Sequence, residues 1–523
     1  MQLGKLLDGI AVSDIRGNSE IEINGLAYDS RSVKPGYLFV ALKGQTEDGH
    51  DFIKNALQNG AVALVLEQFR WTDTKAAIVQ VSNSREALSR LAVNFYDRPF
   101  KGMTLIGITG TNGKTTTSYV LESILSAAGA VPGVIGTINY RFLGQTLEAP
   151  VTTPESLDLM SILRKMTDGD VTDVVMEVSS HALHLGRVRG CPFHVGVFTN
   201  ISRDHLDYHN SMEDYFEAKS LLFRGLGKKG PHHLTWAVIN ADDPKGEELI
   251  RLTEANVVTY GLEKDRDVRA EGVQLNRSGM TARLVTTEGK IDIHSSLIGD
   301  FNIYNILAAS AAALCLGIDL NMVASGIARL EGVPGRLELV KNRQSLAIVV
   351  DYAHTPDALL KAISSVKPLT KGRLITVFGC GGDRDKGKRR EMGRVAGEHS
   401  DLAFVTSDNP RTEDPAAIAA QIEEGVHESG LKKLEGASDD GDLAGPGYIL
   451  ELDRSKAIRS AIGLAYESDL ILIAGKGHED YQIIGKEKKH FDDREVASEA
   501  VRELEIATHN RNISISSGGV VYP

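Results

Sequence analysis

The stretch GITGTNGKTTT, Gly107 to Thr117, sets three glycines three residues apart, then a lysine and a run of threonines. In such a loop the backbone N–H groups turn toward phosphate oxygens, and the following helix adds the positive end of its dipole. Lys114 reaches the terminal phosphates of a polyphosphate, and the Thr115 hydroxyl is suited to Mg²⁺. The spacing departs from the Walker A pattern, because Ile108 stands where that pattern needs a glycine. A glycine turn before a helix, with an exposed lysine, is the plain alternative. The Gly-Lys-Thr triplet and its surroundings argue against it.

Other groups suited to phosphate, metal or zwitterion chemistry recur along the chain. MEVSSHAL ends an apolar run with Glu177, Ser179, Ser180 and His181, and a carboxylate there suits Mg²⁺. FTNISRDHLDYHNSMEDYFEAKSLLF packs His205, Asp207, His209 and Lys219 behind another apolar run. Taken singly, the histidines read as local hydrogen-bonding groups and Lys219 as a surface lysine paired with Glu213 or Glu217. GCGGDRDKGKRR is a glycine-rich basic loop able to hold phosphate or carboxylate, or a solvated charge run. DNPR, Asp408 to Arg411, is turn chemistry followed by a guanidinium that can clamp a carboxylate in bidentate fashion. GKGHEDYQ carries Glu479, a partner for an amine. Cations and anions at the ends of one sheet suit an amino acid.

These residues need a scaffold of parallel strands. MTLIGIT reads as a buried strand, and TTTSYVLESILSAAG as a helix with Val120, Leu121, Ile124 and Leu125 on one face and Gly129 as its stop. DVVMEVSS, HVGVFTNIS and WAVINADD are each apolar and then polar, as in a parallel sheet whose site lies at the strand ends. GVPGRLELV marks a boundary. Beyond it LAIVVDYAH, GRLITVFGCGG, LAFVTSDNP and LILIAGKGH repeat the pattern in a second α/β domain. Before the glycine loop, INGLAYDSRSVKPGYLFVALKG and FIKNALQNGAVALVLE predict a small α/β unit. Leu431 to Gly447 reads as a surface insertion, and the tail HNRNISISSGGVVYP shows no periodicity.

A chain of 523 residues is too long for one core. A net charge of −12 argues against a nucleic-acid partner, which wants a basic face. Three scattered cysteines, Cys191, Cys315 and Cys380, give no disulfide framework and no CxxC pair, which fits a reducing compartment. The most apolar long stretch, NILAASAAALCLGI, falls short of the roughly 20 residues of a membrane span and reads as a buried Ala-rich helix. With no signal-peptide pattern at the N-terminus, a cytoplasmic location is expected.

GTNGKTT, MEVSSHAL, TNISRDHLDYH, FEAKSLLF, GDFNIYNILAA, GVPGRLE, DYAHTPDAL and DNPRTEDP, in that order, resemble the Mur ligase family. The likeness runs from YDSRSVKPGYLFVAL to GKGHEDYQ, and this family uses the shortened loop spacing. The resemblance implies an α/β chain of three domains. Residues 1–98 would form a UDP-sugar-binding domain, 99–334 a P-loop-type ATPase domain with a mainly parallel sheet, and 335–523 a Rossmann-like amino-acid-binding domain. It also implies an ATP-dependent, amide-forming ligase of peptidoglycan precursor synthesis, working through an acyl phosphate on a monomeric chain.

By the same resemblance Gly110, Thr111, Asn112, Gly113, Lys114, Thr115 and Thr116 would cradle ATP, with Asn305, Arg336 and Asp351 as further contacts. Thr115 and Glu177 would hold one Mg²⁺, and His205 and Lys219 a second. The family's lysine matching Lys219 is carbamylated, which turns an ammonium into a carboxylate-like ligand. Ser30, Gln45, Thr46, Glu47, Thr152, Thr153, Ser179 and Arg187 match UDP-sugar contacts, whereas Leu185 stands where some relatives carry Gln. Arg384, Asp408, Asn409, Pro410, Arg411, Gly475 and Glu479 would form the amino-acid pocket. In the family DNPR goes with meso-diaminopimelate, added to UDP-MurNAc-L-Ala-D-Glu. Relatives that take L-lysine lack that arginine.

Folylpolyglutamate synthase shares the loop and the chemistry but accounts for neither YDSRSVKPGYLFVAL nor DNPR. A GTPase switch would want an Asn-Lys-x-Asp motif, and the chain has no Asn-Lys dipeptide. A catalytically dead scaffold is disfavoured by the intact Lys114, Thr115, Glu177, His205 and Lys219.

Overall fold

The computed structural model describes residues 1–44, 47–68, 74–227, 234–434 and 445–517, the stretch 507–517 as backbone only. The chain falls into two compact units. One comprises Met1–Glu271, Leu284–Ile291 and Tyr304–Ile327; the other comprises Gly272–Arg283, Asp292–Ile303 and Ala328–Pro523.

The first unit begins with a sheet ordered Val12–Arg16, Ala77–Val81, Ala61–Leu66, Tyr37–Val40, Gly25–Ala27, parallel except for its first strand. The two apolar runs of INGLAYDSRSVKPGYLFVALKG are therefore adjacent parallel strands, with the short 3₁₀ turn Ser30–Ser32 between them. One face of this sheet packs a core of its own, with Phe39, Leu64 and Ile78 around Ile53, and the other face does not close on itself. Leu38, Val65 and Val79 belong to the same buried cluster as Leu105 and Val174 of the large sheet that follows and Leu163 of the helix Ser156–Asp168.

At the centre of that large sheet Thr104–Thr109 lies between Asp173–Glu177 and Val195–Phe198, all parallel. The register sets Glu177 against Ile108 and Phe198 against Thr109, so the three strands end at one edge. The helix Lys114–Ala127 starts there and packs back along the sheet. Val120, Leu121, Ile124 and Leu125 are at most 1% exposed, as their spacing predicts. Burying each contributes about 1.5–3 kcal/mol, which anchors the glycine loop from its C-terminal side. The expected Ala-rich helix is Asn302–Cys315.

The second unit is built on a seven-stranded sheet whose centre is ordered Ala347–Asp351, Leu470–Ala474, Leu374–Phe378, Leu402–Val405, Gly447–Leu450, all parallel. The first four are the strands legible in the sequence. Asp351 pairs with Ala474 and Phe378 with Val405, so the loops opening at 352, 379, 406 and 475 leave from the same edge. The insertion contributes Lys432–Lys433, paired beside Gly447 and Tyr448, while residues 435–444 lie outside the described residues. The tail departs from its sequence reading, because its first part continues the helix Asp493–Ser517. Ala497, Ala500 and Val501 anchor the start of that helix in the core, and helix propagation from an anchored start is far easier than nucleation. Among the described residues no helix is long and apolar enough to cross a membrane.

Candidate active site

In the first unit the glycine loop is held at both ends and from the side. Gly113 caps the helix at φ +88°, a backbone that favours glycine. A Cβ there would stand 2.3 Å from Asn305 Oδ1, so the residue is glycine for space as well. Thr199 Oγ1 donates to the Asn112 carbonyl at 2.6 Å, and the Asn112 N–H donates to Asn200 Oδ1 at 3.0 Å. Lys114 Nζ donates to the carbonyls of Gly110 and Thr111 at 2.8 and 2.9 Å.

Glu177, 1% exposed at the end of its strand, is the buried carboxylate of the site. It accepts from the Thr115 hydroxyl at 3.0 Å, the Thr137 N–H at 3.0 Å and the Thr137 hydroxyl at 2.9 Å. Each of these donors is neutral, so its charge is oriented and not cancelled. Thr115 and Glu177 thus place two oxygens side by side at the mouth of the loop, a donor set suited to a hard divalent cation.

Lys219 is buried, on the helix Met212–Arg224, and donates to the Gly110 carbonyl at 2.9 Å. Glu217, the partner expected of a surface lysine, pairs instead with Arg224. Among the described residues Lys219 makes no ion pair, and the ring of Tyr215 lies 4.3 Å from its Nζ. Burial first, and then the Lys114 charge, push its pKa well below the usual lysine value. His205, at φ +53° on the loop before this helix, is lowered by burial and by both lysines, though Asp204 opposes the shift. Its ring stands edge-on to His181 at 5.1 Å, and burial takes His181 down to about 4. His209 Nε2 bonds the Ser180 hydroxyl at 3.0 Å. The histidines therefore form one cluster of neutral rings beside two lysines.

A second group adjoins Glu177. Thr152 Oγ1 meets Thr137 Oγ1 at 3.1 Å, and Thr153 Oγ1 donates to the Glu177 carbonyl at 2.8 Å and accepts from the Ser179 N–H at 3.1 Å. Arg187 Nη1 donates to the Thr153 carbonyl at 3.1 Å, with Glu155 3.5 Å from its Nε. Glu155 also pairs with Arg85 at 3.0 Å, and Tyr28 donates to Asp158 at 2.6 Å. These contacts tie the N-terminal sheet to the segment 153–158. Ser30 lies two residues beyond Tyr28, and Glu47 is exposed; Gln45 and Thr46 lie outside the described residues.

In the second unit, burial raises the pKa of Asp351, which accepts from the N–H groups of Leu337 and Ala353 at 2.7 and 2.8 Å; the Arg336 charge opposes the rise. Arg336 lies 5.1 Å over the Tyr352 ring, which also packs on His354 and His478. Nearby, Asn409 Nδ2 donates to Glu479 Oε2 at 2.9 Å, and Gln482 donates to the Asp408 carbonyl at 2.6 Å. Arg411, at φ +51°, donates to the Gly382 carbonyl at 2.8 Å. A Cβ on Gly381 would lie 3.0 Å from Arg411 Nη1 and 3.9 Å from Arg384 Cγ, so the two arginines flank that glycine. Gly475 backs onto Asp408, whose Oδ2 would lie 3.2 Å from a Cβ there. From the loops 379–384, 408–411 and 475–482 the guanidiniums of Arg384 and Arg411 and the carboxylates of Asp408 and Glu479 form a set able to hold a zwitterion.

The chain matches the Mur ligase family, catalytic domain, over 22–96, the Mur ligase middle domain over 108–313, and the Mur ligase, glutamate ligase domain, over 335–477. It is 49% identical over 501 residues to a Geobacter sulfurreducens protein, covering 96% of this chain and 98% of that one. The relative is named UDP-N-acetylmuramoyl-L-alanyl-D-glutamate--2,6-diaminopimelate ligase. A Bacillus cereus protein of the same name is 48% identical, covering 92% and 94%. A solved structure of a ligase of that name superposes with a TM-score of 0.69 at 32% identity, covering 97% and 99%. The chain belongs to the Mur ligase family.

Within this Mur ligase the candidate residues divide between the two units. Gly110 to Thr116, Glu177, His205, Lys219, Asn305 and the candidate UDP-sugar contacts lie in the first; Arg336, Asp351 and the candidate amino-acid contacts lie in the second. The basic loop GCGGDRDKGKRR is neither a solvated run nor wholly a site. Arg389 is fully buried and bonded to Glu413 and Gln421, Lys388 donates to the His354 carbonyl, and Arg390 pairs with Glu428. The Arg389 bonds hold Glu413 down to about 2. Two residues of the Mur ligase escaped the sequence reading. Thr137 orients Glu177 from a loop with no motif of its own. Lys476 is fully buried within GKGHEDYQ, and its position between two glycines was the only signal.

Proposed function

We propose that this Mur ligase joins meso-2,6-diaminopimelate to the D-Glu carboxylate of UDP-MurNAc-L-Ala-D-Glu at the expense of ATP, in the cytoplasm. The observation that carries this reading is the similarity, over 96% of the chain, to a ligase named for that substrate pair. Residues 1–98 hold the UDP-sugar, 99–334 bind ATP and 335–523 bind the amino acid.

A carboxylate is a poor electrophile, so the γ-phosphoryl group of ATP is first moved onto it. The amine then attacks the acyl phosphate, and phosphate leaves. Catalysis is chiefly positioning and charge stabilisation. The loop 110–116 holds the phosphate chain through its N–H groups, and Lys114 balances charge on the transferring phosphoryl group. Thr115 and Glu177 would hold Mg²⁺, which spreads the phosphoryl charge when bound. Lys219 fits conversion to a carbamate. Its depressed pKa raises the share of neutral amine, which attacks CO₂ to form an N–C bond while a proton leaves the nitrogen. The product is an anion that, with His205, would hold a second Mg²⁺. Asn305, Arg336 and Asp351 serve the nucleotide. Ser30, Gln45 to Glu47, Thr152, Thr153, Ser179 and Arg187 serve the UDP-sugar.

Diaminopimelate carries two amino-acid groups. One amine attacks as the free base, and the other end remains a zwitterion. Arg411, aided by Arg384, takes the spare carboxylate, and Glu479 takes the spare ammonium. L-Lysine would bring a second ammonium to Arg411 and be repelled. The test is phosphate release from ATP with UDP-MurNAc-L-Ala-D-Glu and bicarbonate, comparing diaminopimelate with L-lysine. Turnover with diaminopimelate alone is expected, and Arg411→Ala should erode that preference by several kcal/mol. Equal turnover with lysine, or an unchanged preference in Arg411→Ala, overturns the assignment.

A further inference from the structure

The fully buried Lys476 is used by none of the steps above. Its Nζ donates to Asn409 Oδ1 at 3.1 Å and to Glu479 Oε2 at 3.4 Å, and stands 3.6 Å from Asp408 Oδ1. Asn409 Oδ1 also accepts from the Ile483 N–H at 3.0 Å. Two donors on that oxygen leave the Asn409 amide one orientation, with its Nδ2 aimed at Glu479 Oε2, 2.9 Å away. Glu479 is thus held by one of its oxygens from two directions, and Oε1 takes part in neither bond. Among the described residues Asp408 Oδ1 is buried with no hydrogen-bond partner. Lys476 meets Asp408, Asn409 and Glu479 together.

From this geometry, and resting on the amino-acid pocket proposed above, we propose that Lys476 is a positioning residue for the incoming amino acid. It locks Asn409 and Glu479 so that Glu479 Oε1 faces the spare ammonium of the substrate. It also supplies one positive charge against the buried Asp408 and the partly buried Glu479. Asp408, Glu479, Lys476 and one substrate ammonium together carry no net charge. Without it Asn409 can turn over and Glu479 Oε2 loses its cation, so the ammonium meets a carboxylate that is no longer held in place.

The experiment is steady-state kinetics of Lys476→Met with each of the three substrates varied in turn, beside a thermal melt. The expected result is a KM for diaminopimelate raised at least about tenfold, the loss of one hydrogen bond to a charged group, with the KM values for ATP and UDP-MurNAc-L-Ala-D-Glu within about twofold of the parent. A purely structural role would lower the melting temperature and move all three constants together, and that pattern overturns the proposal. So does an unchanged diaminopimelate KM. Should Lys476→Met not melt cooperatively, Lys476→Gln, which keeps an N–H donor for Asn409, is read by the same split. Failure of both to fold assigns the lysine to the fold and refutes the positioning role. No turnover by the parent protein with diaminopimelate would instead refute the pocket assignment.

Discussion

Replacing Lys219 with methionine should stabilise the protein while abolishing ligation. The side chain is buried, and the Lys114 charge works against its ammonium. The carboxylate that favours the charged form, Asp204, is half-exposed. Burying such an ammonium costs several kcal/mol. What it gains is the bond to the Gly110 carbonyl, a hydrogen bond from a charged group contributing about 1.5–3 kcal/mol. Removing it strands nothing, because Gly110 O also accepts from Lys114 at 2.8 Å. Methionine fills a similar volume without the charge, so a net gain on the order of 1–3 kcal/mol is expected. The assay is denaturant unfolding in CO₂-free buffer, repeated with bicarbonate. Bicarbonate should stabilise the parent, by exchanging the ammonium for an anion beside Lys114, and leave Lys219→Met unchanged. A variant less stable than the parent by more than about 1 kcal/mol in CO₂-free buffer refutes the reasoning, because it would make the lysine a structural anchor of the loop. Equal effects of bicarbonate on both proteins would refute the carbamate.

Other perturbations give equally direct readings. Arg454 and Asp493 form a fully buried pair at 2.7 Å, so Arg454→Met should cost about 3–5 kcal/mol in denaturant unfolding, and adding Asp493→Leu should recover most of it. Gly335 has φ +63°, and a Cβ there would stand 2.1 Å from the His478 backbone nitrogen, so Gly335→Ala should cost at least about 2 kcal/mol, and a neutral result would show the loop yields freely. His478 is held at about 4 by burial and by the nearby Arg336 and Arg494 charges, so the unfolded chain binds the extra proton first. Stability is therefore lost as pH falls from about 6.5 to about 4, and His478→Phe should flatten a melting-temperature profile over that window.

Much of the scaffold was legible in the sequence because its signals are local. The apolar spacing of Val120, Leu121, Ile124 and Leu125 is a property of one helix, and a glycine loop between a strand and a helix is a property of one short stretch. The four strands of the second unit announced themselves as continuous apolar runs, as strands covered on both faces do. The strand Gly447–Leu450 was missed because it is short and follows the glycine-rich insertion, and the end of the last helix was missed because its anchor lies upstream.

Only the tertiary structure decided which charges are available. Arg389 and Arg384 are alike in composition and five residues apart, yet one is buried against Glu413 and the other sits beside Arg411. Lys219 and Lys476 both lie within three residues of a glutamate in the sequence. Among the described residues one is buried without an ion pair, and the other is buried among two carboxylates and an amide. Residue types name the chemistry a chain can perform. Burial and the partners brought from distant strands set the charge, orientation and pKa of each group, because those depend on dielectric and distance, which no local pattern carries.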